Sequence, residues 1–335
     1  MINLLALGTS TVRISMPYAA GALGGTLSER GGVVNIALEG LMLSGAFTFA
    51  TTSWWIQKHW GADWVAYAPT LGLLAAVSVG VLLSLLHALA TVTFKADNII
   101  SGLAINIFSL GATNFLLKWF FNSSSNSERC PSFSNWTVFS SPDPKSPWLA
   151  LNQICHPLIL LTLVMFVASN ILLFRTRFGL RLRSVGENPQ AADSLGVNVS
   201  FYRYMGVLLG GACASVGGVW LASDQGLFSS NMTNGRGYIA LAAMIIGKWK
   251  PWGAAVACLI FGFADAVQNR MQIFRQTLSG GDLANLPWLD RIAAETPTQL
   301  IQAFPYIVTI IVIAGLIGRS TPPAADGIPY EKERG

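Results

Sequence analysis

Charge is scarce in this sequence. Only 11% of its 335 residues are Asp, Glu, Lys or Arg, against about 25% in a typical soluble domain. A chain that is also 52% hydrophobic cannot cover itself with a solvated surface, which excludes an ordinary soluble globular protein. Histidine and cysteine are few as well. His59, His87 and His156 are far apart and lack metal-ligand spacing, and His87 on an apolar helix reads as a bundle residue rather than a site. The four cysteines make no CxxC pair. No GxxxxGK[ST] phosphate loop occurs anywhere, so the chain has no P-loop with which to hydrolyse a nucleotide. Clustered catalytic groups at one membrane face, which an integral-membrane enzyme would need, are not visible either.

What the sequence has is long apolar runs. Residues 66–93, 155–174, 204–223 and 299–318 hold no Asp, Glu, Lys or Arg, and each meets the roughly 20-residue length of a membrane-spanning helix. Residues 47–55, 99–117 and 252–264 extend the set. The expected fold is all-α, a polytopic transmembrane helical bundle of about 8–10 membrane segments, some of them short or broken. Residues 237–247 are too short to span alone and read either as half of a broken helix or as a helix extended by its neighbours. No cleavable signal peptide is evident, since residues 1–12 carry no charge and the apolar run continues beyond them. Cys213 and Cys258 lie in spans and read as small packing residues.

Loop charge sets the expected orientation. The segment 175–203 carries Arg175, Arg177, Arg181, Arg183 and Arg203 against Glu187 and Asp193. The loop 122–152 has only Arg129 and Lys145, balanced by Glu128 and Asp143. Short positive loops stay cytoplasmic, which puts 175–203 inside and 122–152 outside. The same alternation puts Glu29–Arg30, Lys95 and the Lys248–Lys250 cluster inside, 57–67 and 270–298 outside, and the tail 321–335 in the cytoplasm. The first apolar stretch then begins outside. Cys130 and Cys155 both fall at the external side, where an oxidising compartment would allow a disulfide between them.

Polar residues stranded in apolar surroundings are the candidates for a solute pathway. Residues 23–45 place Glu29, Arg30, Asn35 and Glu39 between two apolar runs, at a cost of roughly 2.5–3.5 kcal/mol for an ionisable group at the bilayer centre. Glycines 24, 25, 31, 32 and 40 weaken a continuous helix there. Two readings stand: a short polar loop between spans, or a helix starting near Val34 that carries Asn35 and Glu39 on one face along a polar route. Asn98, Ser101, Asn106 and Asp265 complete the pathway set, with hydrogen bonding between helices as the competing explanation for each. In the basic loop, Asn188 suits an N-cap, Pro189 the first helical position and Gly196 a left-handed C-cap. They define a helix of about two turns, 189–195.

The stretches ALGGTLSERGGVVNIALEG, ADNIISGLAINIF, TRFGLRLRSVGENPQAADSLGV and GRGYIALAAMIIGKWKPWGA resemble the inner-membrane permease subunits of bacterial ABC importers. They match best the branch that carries nucleosides with a basic-membrane-protein-type lipoprotein receptor. The resemblance implies a non-catalytic translocation subunit, with 1–320 as one transmembrane permease domain in the bacterial inner membrane. It also implies a second, related permease, an external substrate-binding lipoprotein, and a separate ABC ATPase that uses ATP and magnesium; the permease itself would bind no cofactor and no metal. Gly186, Glu187, Asn188, Pro189, Ala191 and Ala192 would then form the coupling segment that docks on the ATPase. A simple sugar is the alternative cargo, and an ion-coupled secondary transporter using Glu39 and Asp265 the alternative mechanism. The LSGGD at 278–282 is close to an ABC ATPase signature, but without a phosphate loop it reads as a chance match in a Ser/Gly turn.

Overall fold

In lipid every backbone N–H and C=O must be paired inside the chain, and helices do this within one segment. The computed structural model describes residues 4–133, 152, 154–278, 297–311 and 320–331, and among them the apolar runs all fold as helices. The order is α1 (Leu4–Glu29), α2 (Leu38–His59), a short α3 (Ala62–Val65), α4 (Ala68–Ala88) continued by a π turn (Leu89–Thr93), and α5 (Asn98–Phe121). Then come α6 (Pro157–Arg175), α7 (Arg177–Glu187), α8 (Pro189–Ser194), α9 (Val199–Gln225), α10 (Arg236–Ile246), α11 (Pro251–Leu278) and α12 (Thr298–Ile311). The all-α bundle expected from hydropathy is therefore what forms, and five of these helices are long and apolar enough to cross a membrane. Residues 279–282 of the LSGGD motif and most of the two expected external loops lie outside the described residues.

Helices α1, α2 and α9 make the centre, α9 packing on α1, α2 and α4, and α1 also on α10 and α11. In its most apolar window α9 is 78% buried, against 28% for α5 and 33% for α4 and α6. The outer three thus show most of their apolar surface to whatever surrounds the bundle. Close packing at the centre uses glycine. A Cβ added at Gly24 would sit 2.4 Å from the Gly210 carbonyl oxygen, so α1 and α9 touch backbone to backbone. Although glycine weakens helix, α1 runs through Gly24 and Gly25 to Glu29, because the close approach of α9 that they permit offsets their poor helix propensity.

The two ends of the bundle differ in chemistry. Lys95, Arg177, Arg181, Glu187, Lys248 and the segment 320–331 gather at one, the basic end, where Arg30 Nε donates to the Trp249 carbonyl (2.8 Å). Trp54, Trp55, Trp60, Trp64 and Tyr67 gather at the other, as an interfacial aromatic belt does. There Trp54 Nε1 donates to the Glu128 carboxylate (2.7 Å). The described start of the 122–152 loop lies at the aromatic end, and the basic segment 175–203 at the other.

Among the described residues two helices are broken. The segment 30–37 enters from the basic end without helical structure, turning at Gly32 with φ +84°, before α2 begins. The segment 226–235 enters from the aromatic end, held to the chain after α5 by Ser127 N to Phe228 O (2.8 Å) and Cys130 N to Gly226 O (2.9 Å), before α10 begins. At 11 residues and about 1.5 Å rise each, α10 covers only about half of a ~30 Å hydrocarbon core, so 237–247 is indeed half of a broken helix.

Candidate functional site

The N-termini of the two broken helices meet inside the bundle. The Glu39 carboxylate accepts from Gly235 N (2.7 Å) and Gly237 N (2.6 Å), capping α10. Asn106 of α5 caps α2: its Oδ1 accepts from Gly40 N (2.8 Å), while its Nδ2 donates to Ile36 O (2.9 Å) and the Tyr238 hydroxyl (3.2 Å). Asn106 stands eight residues into α5, about 12 Å from that helix's start at the basic end, so the junction sits at membrane depth. Each helix start carries unpaired N–H groups and a partial positive charge, and these two side chains satisfy and offset them. Glu39 itself sits in the first turn of α2.

Asn35 does not share a helical face with Glu39, because α2 starts at Leu38 rather than near Val34. Its Oδ1 accepts from Ala37 N (3.2 Å) and terminates the non-helical segment. Its Nδ2 is buried with no partner. Ser101 bonds His87 Nδ1 (2.9 Å), and His87 Nε2 bonds Val34 O (3.1 Å), so a neutral ring satisfies both contacts and His87 is a bundle residue as expected. Asn98, one residue past the Asp97 N-cap, lies at the basic end beside Gly327. Of the pathway set, Asn35, Glu39 and Asn106 come together; Ser101 and Asn98 stand nearer the basic end.

Asp265 lies elsewhere, in a cavity of about 940 Å³ between α1, α9, α10 and α11. This volume is in the upper part of the range of ligand pockets. Arg13, Tyr18, Asp224, Arg236, Asp265 and Arg270 line it. Tyr18 donates to Asp265, and the Arg236 guanidinium lies against Tyr18. Arg13 and Asp224 are ion-paired, and Arg270 donates to Ala6 O (3.1 Å) and Ser10 Oγ (3.2 Å). Five charged side chains among spanning helices are tolerated when paired and hydrated, and such groups mark solute routes by default. Sequence reasoning named only Asp265 here. Arg13 was visible as a charge interrupting the first apolar stretch, and Arg236 and Arg270 flank apolar helices in the same way.

The basic end carries the third feature. Asn188 Oδ1 accepts from Ala191 N (3.0 Å), capping α8 as its sequence predicts. A further helix the sequence reading missed, α7, precedes it, capped by Thr176 Oγ1 accepting from Gly179 N (3.1 Å). Gly186, Pro189 and Ala192 are buried against the bundle, while Glu187, Asn188, Ala191 and the apolar Leu195 face outward, giving α8 one anchored and one free side. Cys130 and Cys155 are both free thiols, so the disulfide considered from sequence is not formed. Cys130 is buried in the core beside Phe228, where burial pushes its thiol up to about 12 and leaves it a poor nucleophile. No group of three or more metal-ligating side chains occurs among the described residues.

Comparison with known proteins matches this arrangement. Residues 9–316 fit the family model for the branched-chain amino acid transport system permease component. The guanosine ABC transporter permease protein NupQ of Bacillus subtilis is 39% identical over 96% of this chain and 95% of its own length. The nucleoside ABC transporter permease protein NupC of Lactococcus lactis is 38% identical over 96% and 95%. A putative glucose ABC transporter permease protein, TsgC13 of Haloferax volcanii, is 28% identical over 93% and 91%. With a charged cavity and two broken helices inside an apolar bundle, and a family match along nearly its whole length, this chain belongs to that family of ABC transporter permeases.

Proposed function

We propose that the chain is the translocating subunit of an ABC importer whose cargo is a nucleoside. The observation that carries this reading is the polar cavity beside the capped helix junction, in a chain nearly 40% identical, end to end, to a guanosine permease. A nucleoside is neutral and rich in hydrogen-bonding groups. The cavity offers matched donors and acceptors from Tyr18, Asp265, Asp224, Arg13 and Arg236, with the opposite charges largely offsetting one another. The junction adjoins it at Asn234 and Arg236, which line the cavity on either side of Gly235, and there the Glu39 carboxylate is held by two main-chain amides.

Catalysis is absent from this role. ATP and magnesium are used by a separate ATPase, which takes the free side of α8, and a second, related permease completes the pathway. An external lipoprotein receptor delivers the solute, and the chain sits in a bacterial inner membrane with its basic end and C-terminus in the cytoplasm. The similarity to a glucose permease is lower, which makes a simple sugar the second reading. Proteoliposomes containing the complete importer decide between them. ATP-dependent uptake of labelled guanosine that excess glucose does not compete is expected. Uptake of glucose alone overturns the cargo, and guanosine uptake that persists without ATP and follows an imposed ion gradient overturns the mechanism.

A further inference from the structure

The last described segment, residues 320–331, does not trail from the bundle; it is folded across the basic end. Ser320 Oγ donates to Ile245 O of α10 (2.9 Å). Ala324 N donates to the Glu187 carboxylate (3.0 Å), and Ala325 N to Gly186 O (2.9 Å), both acceptors on the last turn of α7 just before α8. Gly327 N donates to Gly32 O in segment 30–37 (3.2 Å). Ile328 O accepts from Arg203 of α9 (2.9 Å), and Glu331 pairs with Lys95 before α5. Asp326 is turned inward against the Glu29 carboxyl at the end of α1. One short stretch thus touches α1, α7, α9, α10, segment 30–37 and the turn before α5.

These contacts lie between two working parts. On one side is α8, with its outward face free. On the other is segment 30–37, which leads directly into the α2 N-terminus where Glu39 caps α10. The parts already touch: a Cβ on Gly186 would sit 2.3 Å from the Arg30 carbonyl oxygen, so the end of α7 rests backbone to backbone on residues 30–32. The turn at Ala324–Gly327 closes over this contact and bonds to both partners through main-chain donors.

We propose that residues 320–331 are a strap that locks α7 and α8 to segment 30–37, so that displacement of α8 reaches the α2–α10 junction as one rigid movement. Glu187, Ala324 and Gly327 are its positioning residues. The inference rests on the reading that α8 receives the push of an ATPase, and on interfaces of this kind passing motion as rigid bodies rather than deforming. Without the strap, α8 can move while segment 30–37 stays, and hydrolysis is spent without transport.

The test uses the complete reconstituted importer and reads nucleoside moved per ATP hydrolysed. Wild type must first show ATP-driven guanosine uptake; its absence is a failure of the transport reading, separate from any failure of the strap. Deleting 320–335, or removing the donor with Ala324→Pro, is expected to leave subunit assembly and ATP hydrolysis in place. Transport per ATP should fall roughly fivefold in Ala324→Pro, the factor carried by one lost net hydrogen bond, and further in the deletion, which removes every bond of the strap. Glu187→Gln keeps an acceptor oxygen and should stay coupled, whereas Glu187→Leu should behave as Ala324→Pro does. Full coupling in both Ala324→Pro and the deletion overturns the proposal.

Discussion

At the scale of single residues, the carboxylates carry the most information. Glu39 was legible as a charge between apolar runs, but its partners were not, since the amides of Gly235 and Gly237 are backbone groups with no side-chain signature. Glu39→Gln leaves one acceptor oxygen for two donors and should fold while slowing uptake. Glu39→Leu strands both N–H groups at membrane depth, at about 1–3 kcal/mol each. It should therefore lower the melting temperature in detergent as well as uptake; unchanged melting would show that the cap is replaced by water. Asp265→Asn keeps a partner for Tyr18 but removes the charge facing Arg236, so KM for uptake should rise with assembly unchanged. Asp326, outside the spans, has its carboxyl held above the usual range, first by burial and then by the Glu29 carboxylate, with Arg203 and the Gly327 amide opposing. The folded protein then keeps a proton that the unfolded chain gives up above about pH 4, so stability is greatest in acid and falls as pH rises through the raised value. Melting temperature should drop between mildly acidic and alkaline buffer, and Asp326→Asn should flatten that slope; an equal slope in the variant would assign it to another group.

At the scale of elements, α8 was readable from its caps, whereas α7 was hidden by its arginines. Its apolar residues Phe178, Leu182 and Val185 do recur at helical spacing, and Leu182 and Val185 are fully buried, so periodicity rather than mean hydropathy was the signal to use. The late start of α2 has a different cause. Gly32 in a left-handed turn and the Asn35 side chain bonded to Ala37 N hold 30–37 out of helix, and propensity alone does not reveal this. Because Ala191 is exposed on the outward side of α8, Ala191→Trp should fold and insert normally yet uncouple ATP hydrolysis from uptake. Normal uptake in a fully assembled complex would remove α8 from the ATPase contact. Gly186→Ala makes a contrasting case: its methyl meets main chain at Arg30, and overpacking of about 1–3 kcal/mol should reduce the yield of folded protein itself.

For the whole molecule, hydropathy gave the class and loop charge gave the two ends, because both are properties summed over many residues. What stayed hidden was how the halves interlock, since the cavity joins Ser10 to Arg270, 260 positions apart, and the capped junction joins Glu39 to Gly237, 198 apart. The same summed properties make the orientation testable. Lys and Arg near span ends favour the cytoplasmic side, and Arg175, Arg177, Arg181 and Arg183 stand at the end opposite the tryptophan cluster. In a cysteine-free background, a membrane-impermeant maleimide should label Ser124→Cys, exposed just beyond α5, in cells whose inner membrane is intact. It should label Ser194→Cys, exposed on α8, only after that membrane is permeabilised. The opposite pattern would put α8 on the outside, where no ATPase can reach it. The coupling role and the strap would fall together, while the fold, the cavity and the family would stand.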